Sequence, residues 1–242
     1  MEHWEQLCPG GLKFVYSDTL FRPGTDSFLL GAFPSLRPGL RVCDLGCGTG
    51  LLGLLLLQRQ RELTVTGVDI LPEAVALARR AAAENGLEDR LTVFQGDLRE
   101  SILPAGRFDL AVCNPPYYPA GSGALPQTAA RQAARSETAC SLPELCGAAA
   151  RAVRWGGAFC LVHKPERLAD LCCALRESGW EPKRLRLVCK MPASAPSLLL
   201  LEARRGGRPG LLVEAPLVLQ TAEGTPTTEL DAAYFRCQEE PS

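Results

Sequence analysis

A regular alternation of strand-like and helix-like segments, which starts at Leu40, limits the possible folds more than any other feature of the chain. The strand-like runs are short and apolar, and the helix-like stretches are rich in Leu or Ala; the strand-like runs are 40–45, 63–69, 91–94, 108–113 and 158–162. Strands that alternate with helices pair in parallel, because each helix returns the chain to the same edge of the sheet. The pattern therefore predicts an α/β domain with a mostly parallel central sheet.

The chain on either side of this region is less regular. Two strand-like runs at 183–188 and 198–203 predict a hairpin at the end of the sheet, and 211–219 is expected to add a small ribbon. No repeat and no linker divides the chain, so we expect a single domain. Its parts are a 1–39 arm and helix that pack on the active site, a 40–221 main domain, and a 222–242 tail with little structural signal.

Capping residues mark two of the expected helices. Thr25 or Asp26 is placed to cap a short helix that ends near Ala32, after a possible short strand at 13–16. Ser141 and Glu144 have the spacing of a capping box, and the helix that they open is expected to end near 155–157.

Length and composition indicate an ordinary globular protein. The chain has 242 residues, of which 46% are hydrophobic and 22% charged, and its formal net charge is −1. The longest apolar runs are far shorter than a membrane span and no secretory signal opens the chain, so a cytoplasmic protein without membrane contact is expected. The eleven cysteines are expected to be reduced thiols, and no metal site is expected because no C-x2-C pair occurs.

A glycine-rich turn joins the first strand of the alternating region to its helix. The turn reads Asp44-Leu45-Gly46-Cys47-Gly48-Thr49-Gly50, and a second acid, Asp69, ends the next strand 19 residues beyond Gly50. Glycines let the backbone turn tightly and approach a ligand, and a carboxylate at the end of the second strand suits ribose hydroxyls. Such a turn alone fits NAD, FAD or S-adenosylmethionine, although the dinucleotide pattern would need Gly where Leu51 stands.

A rigid polar corner, Asn114-Pro115-Pro116-Tyr117, follows the fourth strand directly. Two prolines fix the backbone and remove two N–H donors, so the corner offers the Asn114 side-chain oxygen and the Pro115 carbonyl as acceptors. A planar NH2 group would fit these acceptors and could stack on the Tyr117 ring. Taken alone, the corner fits a plain Pro-rich turn equally well.

The pattern Asp44-x-Gly46-x-Gly48-x-Gly50 resembles motif I of class I S-adenosylmethionine-dependent methyltransferases, and the corner at 114–117 resembles the N-P-P-Y motif of amino-group methyltransferases. The resemblance implies a Rossmann-like fold with a seven-stranded, mostly parallel sheet and a C-terminal antiparallel hairpin. It implies methyl transfer at Asn114, Pro115, Pro116 and Tyr117. The cofactor contacts that it implies are Thr25, Asp44, Gly46, Gly48, Gly50, Asp69, Ile70, Asp97, Leu98 and Asn114.

The flanks of these motifs resemble the bacterial family that methylates adenine N6 beside the anticodon of valine tRNA. One similar stretch is the 23–32 segment, which contains Gly24-Thr25-Asp26. The others are Tyr118, which is the second tyrosine of N-P-P-Y-Y, and the pair Arg131 and Arg135. The resemblance implies a tRNA substrate that contacts Tyr118, Arg131 and Arg135, with no obligatory protein partner.

Two other functions remain open. A HemK-like glutamine methyltransferase acting on release factors shares both motifs, but that family carries a helical substrate domain before motif I, and only 43 residues precede Asp44 here. A cofactor-binding partner protein without turnover is the third reading, and the intact 114–117 corner argues against it.

A basic stretch in the second half of the chain favours RNA. Between residues 183 and 208 there are seven basic residues and one acid, Glu202, and we expect Lys183, Arg184 and Arg186 to contact the RNA. The alternation of Arg184 and Arg186 with leucines is also typical of the solvated face of a charged edge strand.

Overall fold

The computed structural model describes residues 1–20, 22–115 and 140–236. Its strands are β1 Glu2–Gln6, β2 Lys13–Ser17, β3 Arg41–Leu45, β4 Thr64–Asp69, β5 Leu91–Gln95, β6 Phe108–Cys113, β7 Val153–His163, β8 Trp180–Cys189, β9 Pro196–Arg205, β10 Leu212–Val213 and β11 Leu217–Val218. Its helices are α1 Thr25–Ala32, α2 Leu51–Arg59, α3 Pro72–Glu84, α4 Leu142–Ala152, α5 Leu168–Glu177 and α6 Thr228–Ala233, with a 3-10 turn at Pro165–Arg167.

Nine strands form the central sheet in the order β10-β8-β9-β7-β6-β3-β4-β5, and β11 also pairs with β8. From β7 to β5 all neighbours are parallel, whereas β9 lies antiparallel between β7 and β8. This arrangement confirms the predicted α/β fold with a C-terminal antiparallel hairpin. The sheet exceeds seven strands because the two-residue strands β10 and β11 each add to β8 in parallel. In the described chain they do not pair with each other, so the expected ribbon within 211–219 is wrong.

Helices cover both faces of the sheet. On one face, α1, α2, α3 and the β1–β2 hairpin bury a core that includes the fully buried Leu54–Leu57 of α2; on the other face, α4 and α5 pack around the buried Trp180. Helix α2 is apolar on all sides because it lies between the sheet and other elements. Among the described helices, none is long and apolar enough to cross a membrane.

Several helix boundaries differ from the expected ones. The N-cap of α1 is Gly24, in place of Thr25 or Asp26, and no side chain bonds at this cap. Helix α4 has the expected capping box, but it ends at Ala152, so residues 155–157 belong to strand β7. Trp155 is thereby placed against Gly206, where a Cβ atom would lie only 2.0 Å from the indole ring.

The described part of the C-terminal segment packs on α1. The ring of Tyr234 stacks on Phe28 at 4.1 Å between centroids, and its hydroxyl donates to Thr25 Oγ1 at 3.0 Å. Phe235 is buried beneath the guanidinium of Arg59, which lies 4.5 Å from the ring centroid. The helix α6 that positions these rings has six residues and is not among the helices that the sequence predicts.

We expect Tyr234→Ala to lower the free energy of unfolding by about 2 kcal/mol, since it removes both the ring stacking and the hydrogen bond to Thr25. For a chain of this size the melting temperature should fall by roughly 4–8 °C. Tyr234→Phe is the matched control, because it keeps the stacked ring and should cost only about 1 kcal/mol. Thermal and urea unfolding of the three proteins check this order, and identical curves for all three would contradict it.

Candidate active site

The candidate site lies where the carboxyl ends of β4, β3 and β6 meet. Asp44 of β3 is in register with Gly67 of β4 and with Val112 of β6. Neighbouring strands are about 4.8 Å apart, so the loop after β3 emerges between Asp69 and Asn114. This is the point where the chain crosses from one half of the sheet to the other, and ligands bind at such switch points in open α/β sheets.

The loop after β3 depends on left-handed backbone at its glycines. Gly46, Gly48 and Gly50 have φ values of 71°, 54° and 81°. A Cβ atom at Gly46 or Gly48 would meet nothing within 4 Å, so there the backbone conformation requires glycine and open space is left above the loop. The backbone N–H groups of Gly46 and Cys47 donate to Val68 O at 2.8 and 3.0 Å, which anchors the loop on β4.

Asp44 is buried beneath this loop with 1% of its surface exposed. Its Oδ2 atom has no hydrogen-bond partner among the residues that the structure describes. Burial, reinforced by the charge of Asp69, raises the pKa of Asp44 to about 7. A buried carboxyl oxygen without a partner costs free energy, so Asp44 Oδ2 is suited to receive a cationic or N–H-donating ligand group.

Asp69 is held by the backbone around it. Its Oδ2 accepts from Gly48 N at 2.7 Å, and its Oδ1 accepts from Leu71 N at 2.9 Å. Burial raises the pKa of this carboxyl, and the backbone hydrogen bonds act in the opposite direction. Each carboxylate oxygen can accept further bonds, so a pair of ribose hydroxyls fits here. The next residue, Ile70, exposes 41% of its surface at this edge of the sheet.

Asp97 lies in the next loop of the same edge, because Gly96 N donates to Asp69 O at 2.9 Å. The Asp97 carboxylate accepts from the Arg99 guanidinium at 2.5 Å, and this side-chain hydrogen bond lowers its pKa. The Leu98 carbonyl accepts from Arg151 at 3.0 Å. Three acids, Asp44, Asp69 and Asp97, therefore follow one another along the edge, which suits a positively charged cofactor.

The polar corner begins directly beyond β6. Asn114 is half-buried and Pro115 is buried. The Asn114 Nδ2 group donates to Ser27 Oγ of α1 at 3.0 Å. Five of the predicted site residues, Pro116, Tyr117, Tyr118, Arg131 and Arg135, lie outside the described residues.

The positions of Arg184 and Arg186 do not support their predicted role in RNA binding. Arg184 pairs with Glu202 at 2.9 Å and with Glu214 at 3.4 Å, and Arg186 pairs with Glu229 at 2.7 Å. About a fifth of each side chain is exposed, so both charges are used inside the protein. Lys183 donates to the Arg208 carbonyl at 3.2 Å.

Thr25 has a structural contact of its own, since its hydroxyl accepts from Tyr234. Sequence reasoning also missed two residues of the site. Ser27 contacts Asn114, and Gly67 lets the loop approach β4, because a Cβ atom there would lie 2.8 Å from Cys47 Sγ. A glycine inside a strand signals such a close approach. In the described part of the chain no group of three His, Cys, Asp or Glu residues is placed to hold a metal ion.

Comparisons with known proteins define the class. Residues 11–167 match the methyltransferase small domain family. A crystal structure of a predicted O-methyltransferase from Agrobacterium tumefaciens has the same fold, with a TM-score of 0.71 at 22% identity over 87% of this chain and 95% of that one. A geranyl diphosphate C-methyltransferase from Streptomyces coelicolor, solved with S-adenosyl-L-homocysteine, matches with a TM-score of 0.56 at 13% identity over 74% and 76% of the two chains. The chain is a class I S-adenosylmethionine-dependent methyltransferase.

More similar relatives narrow this class. A tRNA1(Val) (adenine(37)-N6)-methyltransferase of Dickeya chrysanthemi is 32% identical over 85% of this chain and 83% of its own length. The Porphyromonas gingivalis protein of the same name is 34% identical over 76% of this chain and 74% of its own length. The chain belongs to the family of these tRNA1(Val) (adenine(37)-N6)-methyltransferases.

Asp44→Asn tests the buried carboxyl through pH. The folded-state pKa of about 7 lies above the ordinary value of 3.8, so the contribution of Asp44 to stability falls as pH rises through this interval and stays constant above it. The amide does not titrate. We therefore expect the variant to gain melting temperature relative to the cofactor-free wild type as pH rises from about 4 to about 8, while its cofactor affinity falls about 10-fold or more at pH 8.

Differential scanning calorimetry and titration calorimetry measure the two effects. Asp109→Asn is the matched control, because hydrogen bonds from Arg154 and Arg41 outweigh the effect of burial and hold the pKa of Asp109 at about 2. Loss of the Asp109 carboxylate should destabilise the protein at neutral pH and leave cofactor affinity unchanged. A pH-independent difference between Asp44→Asn and wild type would contradict the buried-carboxyl assignment.

Proposed function

We propose that this enzyme transfers the methyl group of S-adenosylmethionine to the exocyclic N6 amino group of an adenosine in tRNA. The observation that carries the proposal is the position of Asn114. Its amide stands at the carboxyl end of β6, beside the loop after β3, and its donor end is already bonded to Ser27. In this proposal the amide oxygen accepts from the amino group of the substrate.

The cofactor fits the edge formed by the three acids. The buried carboxyl of Asp44 suits the positively charged end of the molecule, the left-handed glycine loop suits its close approach, and Asp69 suits the ribose hydroxyls. In this proposal Ile70, Asp97 and the Leu98 backbone face the adenine end. When bound, S-adenosylmethionine supplies an electrophilic methyl group on a sulfonium.

Asn114 and Pro115 act on the amino group of the substrate. The lone pair of an amino group on adenine is delocalised into the ring, so the free group is a weak nucleophile. Acceptance of its two N–H bonds by Asn114 Oδ1 and the Pro115 carbonyl turns the lone pair towards the methyl carbon. These fixed dipoles of Asn114 and Pro115 would stabilise the positive charge that the nitrogen gains with the methyl group, until the extra proton passes to water.

The folded structure favours RNA contacts at residues other than those of the 183–186 stretch. Lys164 follows β7 and Lys190 follows β8, and because these strands run in the same direction as β6 both lysines lie at the edge that carries Asn114. Lys190 is exposed. We assign these two cations to phosphate contacts, with Tyr117 as a stacking surface for the flipped base.

The organisation of the chain follows from this function. In this proposal residues 40–221 form the methyltransferase domain, the 1–39 segment contributes α1 beside the corner, and Tyr234 of the 222–242 segment contacts α1. In this proposal the enzyme acts on tRNA in the cytoplasm and needs no membrane, no metal ion and no obligatory protein partner.

Asn114→Ala should lower kcat by at least about 100-fold, because it removes a preorganised acceptor that acts on the reacting nitrogen. Cofactor affinity should stay within about twofold of wild type. Labelled S-adenosylmethionine with bulk tRNA measures turnover, and titration calorimetry measures cofactor binding. Parallel loss of both quantities would contradict the assignment.

The same assay decides the substrate class. Label transferred to bulk tRNA should survive protease and be lost with nuclease, and digestion to nucleosides should place it on N6-methyladenosine. A release factor is offered in a parallel reaction. Label on the release factor and none on tRNA would replace the proposed activity by glutamine methylation.

A Lys164→Gln/Lys190→Gln double variant tests the RNA surface. If each lysine neutralises one phosphate, the slope of log affinity against log salt should become less negative by about 1 to 2. Filter binding of tRNA at several salt concentrations gives the slope. Arg186→Gln is the matched control, since its charge is paired with Glu229 and its removal should leave the slope unchanged. An unchanged slope in the lysine variant, or an equal change in the control, would contradict the assignment.

A further inference from the structure

We infer that Ser27 is a positioning residue that holds the Asn114 amide where its oxygen can meet the substrate. The inference rests on the proposed function, because it concerns the same reacting nitrogen. Ser27 has 5% of its surface exposed and lies 87 positions from Asn114 in the chain, yet the Asn114 Nδ2 group donates to its hydroxyl at 3.0 Å.

The two ends of an asparagine amide have almost the same size and opposite hydrogen-bonding character. If the amide turned by 180°, its NH2 group would face the amino group of the substrate, and two donors would oppose each other. Shape alone does not distinguish the two orientations. With Oδ1 on the substrate, the Nδ2 group needs an acceptor, and the Ser27 hydroxyl provides one at the distance of a normal hydrogen bond.

The hydroxyl can hold the amide in place only if its own position is fixed. Helix α1 is fixed near its start, where Tyr234 bonds Thr25 and stacks on Phe28. It is fixed at its end by Arg184, whose Nη2 donates to Phe33 O at 2.6 Å and whose guanidinium lies 4.0 Å from the centroid of the Phe33 ring.

The middle of the helix is held as well. A Cβ atom on Gly31 would lie 2.9 Å from the Cβ of Leu55, so α1 approaches α2 as closely as glycine allows. Contacts at both ends and in the middle give Ser27 the rigid support that a positioning group needs.

A purely structural role for Ser27 makes a different prediction. A buried hydroxyl that only satisfies a neighbour would affect folding stability, and any loss of turnover would follow the loss of folded protein. A positioning role lowers kcat in fully folded protein, with little effect on cofactor binding or on KM for tRNA. Restoring the hydroxyl should also restore kcat.

The experiment compares the full-length wild type with Ser27→Ala, Ser27→Cys and Ser27→Thr in the labelled-tRNA assay, with melting curves and cofactor titrations for each protein. We expect kcat to fall about 10- to 100-fold in Ser27→Ala, because small misplacements of reacting groups have effects of this size. Ser27→Cys keeps a side chain of similar shape with a weak acceptor, and its kcat should also fall. Ser27→Thr keeps the hydroxyl and should lie within a few-fold of wild type.

Ser17→Ala is the matched control. Ser17 is also a buried serine, with 8% exposure, and its hydroxyl bonds Thr19 at 2.9 Å on the β1–β2 hairpin. The kcat of the Ser17→Ala variant should equal that of wild type. Folded Ser27→Ala or Ser27→Cys protein with a kcat within twofold of wild type would overturn the inference, as would a decrease no larger than the unfolded fraction. Failure of the wild type to label tRNA would instead overturn the proposed function.

Discussion

The site depends first on the burial of one carboxyl group. Asp44 lies at the end of the central strand β3 with 1% exposure, and its Oδ2 has no partner within the described chain. Such a group opposes folding, and proteins keep such groups mainly where a ligand uses them. In the proposed complex, a cationic ligand offsets the free-energy cost of burying this oxygen without a partner. Removing that cost on binding strengthens the affinity for the ligand. The glycine loop and Asp69 then determine the shape of the space in which that ligand lies.

Helix α1 lies between the proposed cofactor edge and the proposed site of methyl transfer at Asn114. It receives contacts from the C-terminal segment through Tyr234, from the sheet through Arg184, and from α2 through Leu55. It contacts the described part of the corner through the Ser27 hydroxyl. Segments far apart in the chain therefore converge on a single short helix, and the rigidity of the corner depends on packing that lies outside the parallel sheet.

The features that sequence reasoning predicts correctly are those with local signals. An apolar run followed by a proline corner predicts Phe108–Cys113 with the bounds that the structure has, and the Ser141–Glu144 spacing predicts the capping box of α4. The bond between Ser27 and Asn114 joins residues 87 apart, and no local pattern encodes it. Helix α6 is similar, since a six-residue helix has little intrinsic stability and depends on the stacking of Tyr234 on Phe28.

The charges of β8 show why a basic stretch has to be judged on the folded surface. Arg184 meets Glu202 from the neighbouring strand, and Glu214 and Glu229 reach Arg184 and Arg186 from the chain that follows β9. Partial burial makes these pairings necessary, because a desolvated guanidinium without an acid costs free energy. In the proposed reaction the target base has to reach Asn114 at the carboxyl edge, and screening limits useful attraction to charges within about 10 Å of the phosphates. Under that proposal, cations beside the edge matter more for RNA than the number of cations in a stretch of sequence.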